Sequence, residues 1–243
     1  GECCEKLKHI DEACEHYKSA TRLNGTQAIP FVRLYKSLKS LGKNEEAEHY
    51  LIRSLGVDPF CAQAHLNLGY LRENEKNFAK STVHFKAFYY LEGNVTIEHE
   101  KIGNLLFNRS AFQYAFPFLK SYAEKYDTIP STFNAAISAI QTDNDKDAIK
   151  YFKRVIKLDP TLVEAHVNLG VTLKKIGEYK LAIDSYKTAL KLDAKNTDAH
   201  FNLANVNKLV RRHSESLRLY VTGLTLENRS MRFLNNYAAC LKD

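Results

Sequence analysis

Several residue types are scarce in this chain. Its 243 residues include only ten glycines and five prolines, a single methionine and no tryptophan. Because glycine and proline mark most tight turns between strands, their scarcity argues against a fold of many short strands and favours helices. No apolar run reaches the roughly 18 residues that a membrane-spanning helix needs. We therefore expect an all-α protein without direct membrane insertion.

The five cysteines do not form a recognisable disulfide framework or zinc site. Their number is odd, and none of them shows the two-residue spacing of paired structural zinc ligands. A group near the N-terminus could in principle bind a metal but lacks that spacing, namely Cys3, Cys4, His9, Cys14 and His16. We predict buried, reduced thiols, no metal or other cofactor, and an intracellular, cytoplasmic location.

The charges indicate no nucleic-acid partner. The net charge is +7, and 35 basic residues are interleaved with 28 acidic ones along the chain. The densest basic spot, at residues 208–213, has no neighbouring aromatic stripe of the kind that binds nucleic-acid strands. The chain also lacks a phosphate-binding glycine loop, a zinc-protease helix motif and a serine elbow. We therefore expect this segment not to be an enzyme.

The chain repeats itself at a fixed interval. A small residue precedes an aromatic residue or leucine by four positions in seven pairs: Ala13/Tyr17, Ala47/Leu51, Ser81/Phe85, Ala115/Leu119, Ala148/Phe152, Ala182/Tyr186 and Ser216/Tyr220. Neighbouring pairs are 34 residues apart, except for one step of 33. A second series, which includes Leu68-Gly69 and Leu169-Gly170, has the same steps. A period near 34 residues is typical of a repeat made of two helices.

One repeat carries a specific family resemblance. The stretch Ala165-His166-Val167-Asn168-Leu169-Gly170, followed by Gly177-Glu178-Tyr179, Ala182, Tyr186, Ala189 and Leu192-Asp193, resembles the consensus of tetratricopeptide repeats. The resemblance implies a right-handed superhelical solenoid of antiparallel helix pairs. Small residues at the eighth and twentieth repeat positions let the helices approach, and the residue at position 24 fills the space beside them.

This frame divides the chain into one array of repeats. We predict full repeats at 28–61, 62–95, 96–128, 129–162, 163–196 and 197–230, with partial repeats at 1–27 and 231–243. Because both partial repeats are incomplete, we expect a fragment of a longer chain. The unit 96–128 matches least well, since Pro117 lies in its second helix and one residue is missing before the next unit. We expect this proline to bend or break the helix.

The resemblance also implies a binding surface. In this family the first helix of each repeat lines the concave face, and repeat position 6 points into it. That position is occupied by Arg33, Asn67, Lys101, Asn134, Asn168, Asn202 and Asn236. The asparagines resemble the ladder in the repeat arm of O-linked N-acetylglucosamine transferases, from which Arg33 and Lys101 depart. A carboxamide can donate to a peptide carbonyl and accept from a peptide amide, so we expect these residues to bind a peptide backbone.

Neighbouring groove positions add apolar side chains. They include Tyr70, Phe133, Val167, Val171 and Phe201, so we expect a partly apolar trough. Asn205 also faces this trough, but Phe201 stands where a carboxylate clamp for acidic chaperone tails requires lysine. An alternative is that the asparagines serve only the helix surface, with no ligand. The evenly spaced His65, His166 and His200 are interpreted as packing residues.

The sequence is compatible with three functions. The first is an interaction scaffold that holds a peptide or protein segment in its groove, and the second is the substrate-recognition arm of a glycosyltransferase. The third is a lumenal arm of a secretory-pathway membrane protein in the endoplasmic reticulum. This third function requires glycosylation at sequons that the repeat frame places in turns, at Asn24, Asn94, Asn108 and Asn228. The oligomeric state is left open.

Overall fold

The structure is a computed structural model that describes residues 9–242. Within that range the chain forms fourteen α-helices and no strand, which confirms the predicted all-α class. Two compact units divide at the bond between Val95 and Thr96. None of the helices in the described range is both long and apolar enough to cross a membrane.

The helices of each unit are short and of nearly equal length. Unit 1 contains α1 (Ile10–Leu23), α2 (Ala28–Ser40), α3 (Asn44–Val57), α4 (Ala62–Asn74) and α5 (Phe78–Leu91). Unit 2 contains α6 (Ile97–Asn108), α7 (Phe112–Lys125), α8 (Ile129–Gln141), α9 (Asp145–Leu158), α10 (Val163–Lys175), α11 (Tyr179–Leu192), α12 (Thr197–Leu209), α13 (His213–Leu226) and α14 (Met231–Lys242). Even-numbered helices are called A helices and odd-numbered ones B helices.

The six A helices from α2 to α12 end in the same turn. One residue per turn has a left-handed backbone, with φ between 56° and 84°, and these residues are Gly42, Lys76, Ser110, Asp143, Gly177 and Arg211. The next N–H donates to a carbonyl five residues earlier, as from Asn77 to Arg72 at 2.8 Å and from Glu178 to Leu173 at 2.9 Å. This is the Schellman pattern, which satisfies the last carbonyls of a helix. The tight turn makes successive A and B helices antiparallel.

The predicted break at Pro117 does not occur. Helix α7 runs continuously from Phe112 to Lys125 with Pro117 as its sixth residue. The proline can donate no hydrogen bond to the carbonyl of Gln113, four residues earlier. The missing residue instead shortens the turn before α8, which spans only 126–128, whereas 159–162 and 193–196 connect the following B and A helices.

The core of most helix pairs combines a small residue with a large one. In unit 2 a Cβ added to Gly170 would lie 2.5 Å from Cε1 of Tyr186, whose side chain is fully buried. The pair α2 and α3 reverses this arrangement, because the buried Tyr35 occupies the small residue's place and meets a leucine, Leu51, at the aromatic position. In this pair the aromatic ring therefore comes from the A helix, whereas in the pair of α10 and α11 it comes from the B helix.

Removing the hydroxyl from either of two buried tyrosines in unit 2 is expected to change the free energy of unfolding in opposite directions. Tyr151 donates to Glu124 at 2.9 Å, whereas the buried hydroxyl of Tyr186 has no hydrogen-bond partner among the described residues. We expect Tyr186→Phe to raise the free energy of unfolding by about 1 kcal/mol, because it removes an unsatisfied polar group. Tyr151→Phe should lower it by a similar ~1 kcal/mol, since Glu124 loses a donor.

Thermal unfolding of the two tyrosine variants beside the wild type measures this difference. Each substitution removes the same single oxygen from a fully buried ring, so each variant is the other's control. Shifts of equal sign in the two variants would contradict the assignment of these hydrogen bonds.

Candidate functional site

The residues predicted to face the groove lie on accessible parts of the A helices. In unit 1, Arg33 on α2 and Asn67 and Tyr70 on α4 are all partly exposed. The unit 2 residues are called the A-helix face and are likewise partly or fully exposed: Lys101, Phe133, Asn134, Val167, Asn168, Val171, Phe201, Asn202, Asn205 and Asn236. Each of these side chains is therefore at least partly available to a partner.

Three of the asparagines also bond to their own helix. The side-chain amide donates to the carbonyl four residues earlier, from Asn67 to Gln63 at 2.6 Å and from Asn236 to Arg232 at 2.9 Å. Asn202 does the same towards Asp198 at 3.0 Å. These bonds orient each carboxamide, because a backbone carbonyl can only accept. The second N–H of each amide remains for a ligand. The sequence pattern did not predict these hydrogen bonds to the backbone of the same helix.

The other two asparagines differ from this pattern. Asn134 donates to Oδ1 of Asn104 at 2.9 Å and so connects α8 to α6. The same pair of helices is joined by Ser131, whose hydroxyl donates to Glu100 at 2.5 Å. Asn168 is partly exposed, and its carboxamide has no hydrogen-bond partner among residues 9–242. Asn168 is therefore the asparagine of the face whose full hydrogen-bonding capacity is open.

An apolar hollow adjoins Asn134. Its volume is about 270 Å³, and its lining comprises Ile129, Pro130, Phe133, Asn134, Leu162 and Glu164. The ring of Phe133 packs edge-on against the ring of Phe152 on α9, with centroids 5.7 Å apart. The hollow spans the start of α8 and the start of α10, so it brings two of the predicted groove residues, Phe133 and Asn134, to one open cavity.

Phe201, the groove residue of α12, is in contact with two side chains of the neighbouring helix α14. The ring of Phe201 packs edge-on against Phe233 with centroids 5.3 Å apart, and the guanidinium of Arg232 lies 5.3 Å from the Phe201 centroid. Arg232 is fixed by ion pairs with Asp198 at 2.6 Å and Glu227 at 2.8 Å. Hydrogen bonds to these carboxylates raise the pKa of Arg232 further, so its guanidinium stays protonated within the ion-pair cluster. Tyr70 is held similarly in unit 1, edge-on to Phe85 at 5.2 Å.

One lysine of this surface was not predicted. Lys174, near the end of α10, is partly buried and donates to Oδ1 of Asn202 at 3.3 Å. Burial lowers the pKa of Lys174, and no carboxylate offsets it. The other lysine of the face, Lys101, is paired with Glu98 on its own helix at 2.8 Å. Lys174 lies at repeat position 12, which the family geometry also places in the groove, but the residue type varies there, with Glu73, Phe107 and Ile140 in other repeats.

The three histidines are more than packing residues. His166 and His200 are buried, as predicted, and His65 is partly buried. Each Nε2–H donates to the carbonyl six residues earlier, in the turn before the A helix: His65 to Pro59 and His200 to Ala194 at 3.0 Å, and His166 to Pro160 at 2.9 Å. The histidine therefore fixes the turn against its helix.

The four sequons lie at the surface, but not all in turns. Asn24, Asn94, Asn108 and Asn228 are all exposed. Asn108 is the last residue of α6, which corrects its predicted position in a turn, whereas the other three lie between helices. Their glycosylation remains a prediction.

The cysteines within the described range are separate and buried. Cys14, Cys61 and Cys240 carry free thiols, and burial raises the pKa of Cys14. Cys3 and Cys4 lie outside the described residues. Within residues 9–242 no three side chains of histidine, cysteine, aspartate or glutamate are grouped so that they could hold a metal ion.

Stacked antiparallel helix pairs with a recurring small-to-large contact define a helical-repeat protein, in which each repeat packs against its neighbours. Models described as tetratricopeptide repeat match residues 33–81, 131–162 and 151–184, and another described as TPR repeat matches 173–209. The chain belongs to the tetratricopeptide repeat superfamily, whose members serve as protein-interaction scaffolds.

Individual proteins resemble the chain over long stretches. The tetratricopeptide repeat-containing protein trd-1 of Caenorhabditis elegans is 26% identical over 141 residues, which is 58% of this chain and 18% of that protein. The crystal structure of MamA has a TM-score of 0.58 at 16% identity, with 69% of this chain and 92% of that one covered. The structure of Pseudomonas aeruginosa PilF has a TM-score of 0.51 at 17% identity, with 95% and 99% covered. These two structures share the fold.

Proposed function

We propose that the A-helix face of unit 2 binds an extended segment of another polypeptide. The observation that carries this proposal is the hollow beside Asn134, where Phe133 and Asn134 meet at one open cavity of about 270 Å³. An apolar side chain of the partner fits into this hollow, and carboxamides on successive A helices stand ready for its backbone.

The hydrogen-bonding state of the asparagines supports the same function. Asn202 and Asn236 are oriented by bonds to their own helices and retain one N–H each. Asn168 lies between Asn134 and Asn202 in the repeat order and has both its oxygen and its N–H groups free of partners in residues 9–242. Preorganised carboxamides reduce the entropy lost on binding, so a backbone ladder can hold a segment with little regard to its side chains.

The test compares proteins captured by the wild-type chain with those captured by Asn168→Ala. This single change removes no hydrogen bond of the carboxamide within the described residues, so its helical content should stay equal by circular dichroism. We expect affinity for the groove ligand to fall roughly tenfold, from about 1.4 kcal/mol of lost hydrogen bonding. The triple change Asn134→Ala, Asn168→Ala and Asn202→Ala should lower it by about another tenfold or more.

The matched control carries three alanines at exposed asparagines away from the A-helix face. Asn94, Asn108 and Asn228 supply these positions. Quantitative mass spectrometry of native-lysate pull-downs should show one set of proteins lost from the triple face variant and retained by the control. Equal capture by all the variants would refute the proposal and leave the asparagines with a purely structural role.

A further inference from the structure

Lys174 has an unusual position for a positive charge. It is partly buried, its amine contacts the neutral oxygen of Asn202 at 3.3 Å, and it forms no ion pair with the described residues. A charge withdrawn from water usually has an opposite charge as its partner. The neighbouring Lys175 follows that rule, since it bonds Asp143 at 2.7 Å and Asp145 at 3.0 Å. Lys174 is left without such a partner.

In the two asparagines beside Lys174, the amide oxygens already accept a hydrogen bond, whereas amide N–H groups remain free. The Oδ1 of Asn202 accepts from Lys174, and the Oδ1 of Asn205 accepts from the hydroxyl of Tyr220 at 2.6 Å. Asn202 donates one N–H to the carbonyl of Asp198 and keeps the other, while the amide of Asn205 has no acceptor within the described range. Asn202 and Asn205 are three residues apart and so share one side of α12.

The nearby acidic side chain is already occupied. Asp198 lies one turn before Asn202, and its carboxylate is bound by Arg232 at 2.6 Å. The three residues Lys174, Asn202 and Asn205, here called the donor patch, therefore offer one ammonium group and amide N–H groups only. Such a set matches a carboxylate, which is purely an acceptor when ionised.

We infer that the donor patch binds the side-chain carboxylate of an aspartate or glutamate in the segment that lies on the A-helix face. This inference rests on the proposed function and adds a requirement about the partner's sequence. On α10 the hollow is lined by Glu164, and Lys174 lies about 15 Å further along this helix. The acidic side chain therefore lies about four to five residues along an extended segment from the side chain in the hollow, at about 3.3 Å per residue.

The experiment is a selection from a library of random peptides about ten residues long. Each peptide is displayed with flexible linkers fused to both ends, so that no free C-terminus is present. The purified chain and its Lys174→Met and Lys174→Arg variants are each used as bait. We expect peptides selected by the wild type to share an aspartate or glutamate at one position. Lys174→Met should select peptides without that acidic position, and Lys174→Arg should retain it.

Fluorescence anisotropy of one selected peptide then measures the coupling. Lys174→Met should weaken binding by about tenfold or more, and replacing the peptide's acidic residue with its amide should weaken it equally. The two changes together should cost no more than either alone. Lys187→Met is the matched control, because Lys187 is exposed on α11, and it should leave affinity unchanged.

The possible outcomes separate this inference from the proposed function. Selected peptides without a shared acidic position, or an acidic preference that survives Lys174→Met, would overturn the inference and leave peptide binding intact. Failure of the wild-type chain to select any peptide would overturn both.

Discussion

Replacing Gly170 with valine is expected to lower the free energy of unfolding by about 3 kcal/mol. A Cβ at this position would lie 2.5 Å from Cε1 and 2.8 Å from Cδ1 and Cζ of Tyr186. The ring is fully buried between the helices of its pair, so it cannot rotate into solvent. The helices α10 and α11 must therefore separate to accommodate the larger residue, which removes packing contacts along both.

The same contact predicts a graded series. Gly170→Ala should cost less than Gly170→Val, because the pair α12 and α13 already accommodates Ala204 beside the buried Tyr220. For a chain of this length, a loss of about 3 kcal/mol corresponds to a fall in melting temperature of about 6–12 °C. Thermal unfolding followed by circular dichroism measures it.

A second glycine serves as the control for this series. Gly56 lies within α3, and a Cβ added there would meet no atom within 4 Å. Gly56→Val should leave stability unchanged or raise it slightly, because valine loses less backbone entropy than glycine in a helix. If Gly170→Val and Gly56→Val melt alike, then Gly170 does not set the distance between its helices.

Acidification is expected to destabilise unit 1 through a pair of histidines. Nδ1 of His65 and Nδ1 of His84 lie 3.0 Å apart, and Nε2–H of His65 donates to the carbonyl of Pro59. Because that carbonyl can only accept, the neutral His65 has a bare Nδ1, to which Nδ1–H of His84 donates. Burial is the largest cause, followed by the electrostatic effects of His65, Arg72 and Lys80, and together they lower the pKa of His84 to about 4.

The direction of the pH effect follows from that pKa. An unfolded histidine titrates near pH 6.5, so between about pH 6.5 and pH 4 the unfolded chain binds a proton that folded His84 does not. The contribution to stability is complete above about pH 6.5 and is lost as the pH falls towards 4. Between about pH 7 and pH 4.5 the loss from this residue should be about 2 kcal/mol.

His84→Leu tests this assignment, because leucine already occupies the equivalent position of another repeat. In the repeat that contains His200, the equivalent of His84 is Leu219, so the variant copies an existing pair. Urea denaturation at about pH 7 and pH 4.5 should show a smaller loss of stability in His84→Leu than in the wild type, by about 2 kcal/mol. His49→Leu, at an exposed position of α3, should keep the wild-type difference. An unchanged pH dependence in His84→Leu would contradict the role of the pair.

Much of the fold was predictable from residue order because each contact type recurs. The series that contains Leu169-Gly170 and Ala182/Tyr186 marks both helices of a repeat and the place where they meet. Neighbours in a helical repeat array are close in sequence, so the period specifies most of the contacts. The positions of Phe133, Asn134, Asn168 and Asn202 on accessible A helices follow from the same period.

Other features depended on contacts that leave no periodic mark. Tyr35 places an aromatic ring where the other repeats have a glycine or alanine, and whether the ring fits depends on both helices of the pair together. Helix α7 runs through Pro117 although local propensity predicts a break, because tertiary packing offsets the cost of one lost hydrogen bond. The left-handed turn residues Lys76, Ser110 and Arg211 are likewise imposed on side chains that do not favour that conformation.

The same distinction applies to the candidate site. Asparagine at repeat position 6 is visible in the sequence, but the acceptor that each amide finds, and whether its oxygen remains free, depends on the neighbouring helix. Lys174 is one of 35 basic residues in the sequence, and only its burial beside Asn202 distinguishes it. Residue order therefore specifies the repeat and its faces, whereas the free hydrogen-bonding groups of those faces arise only when neighbouring helices pack and satisfy the others.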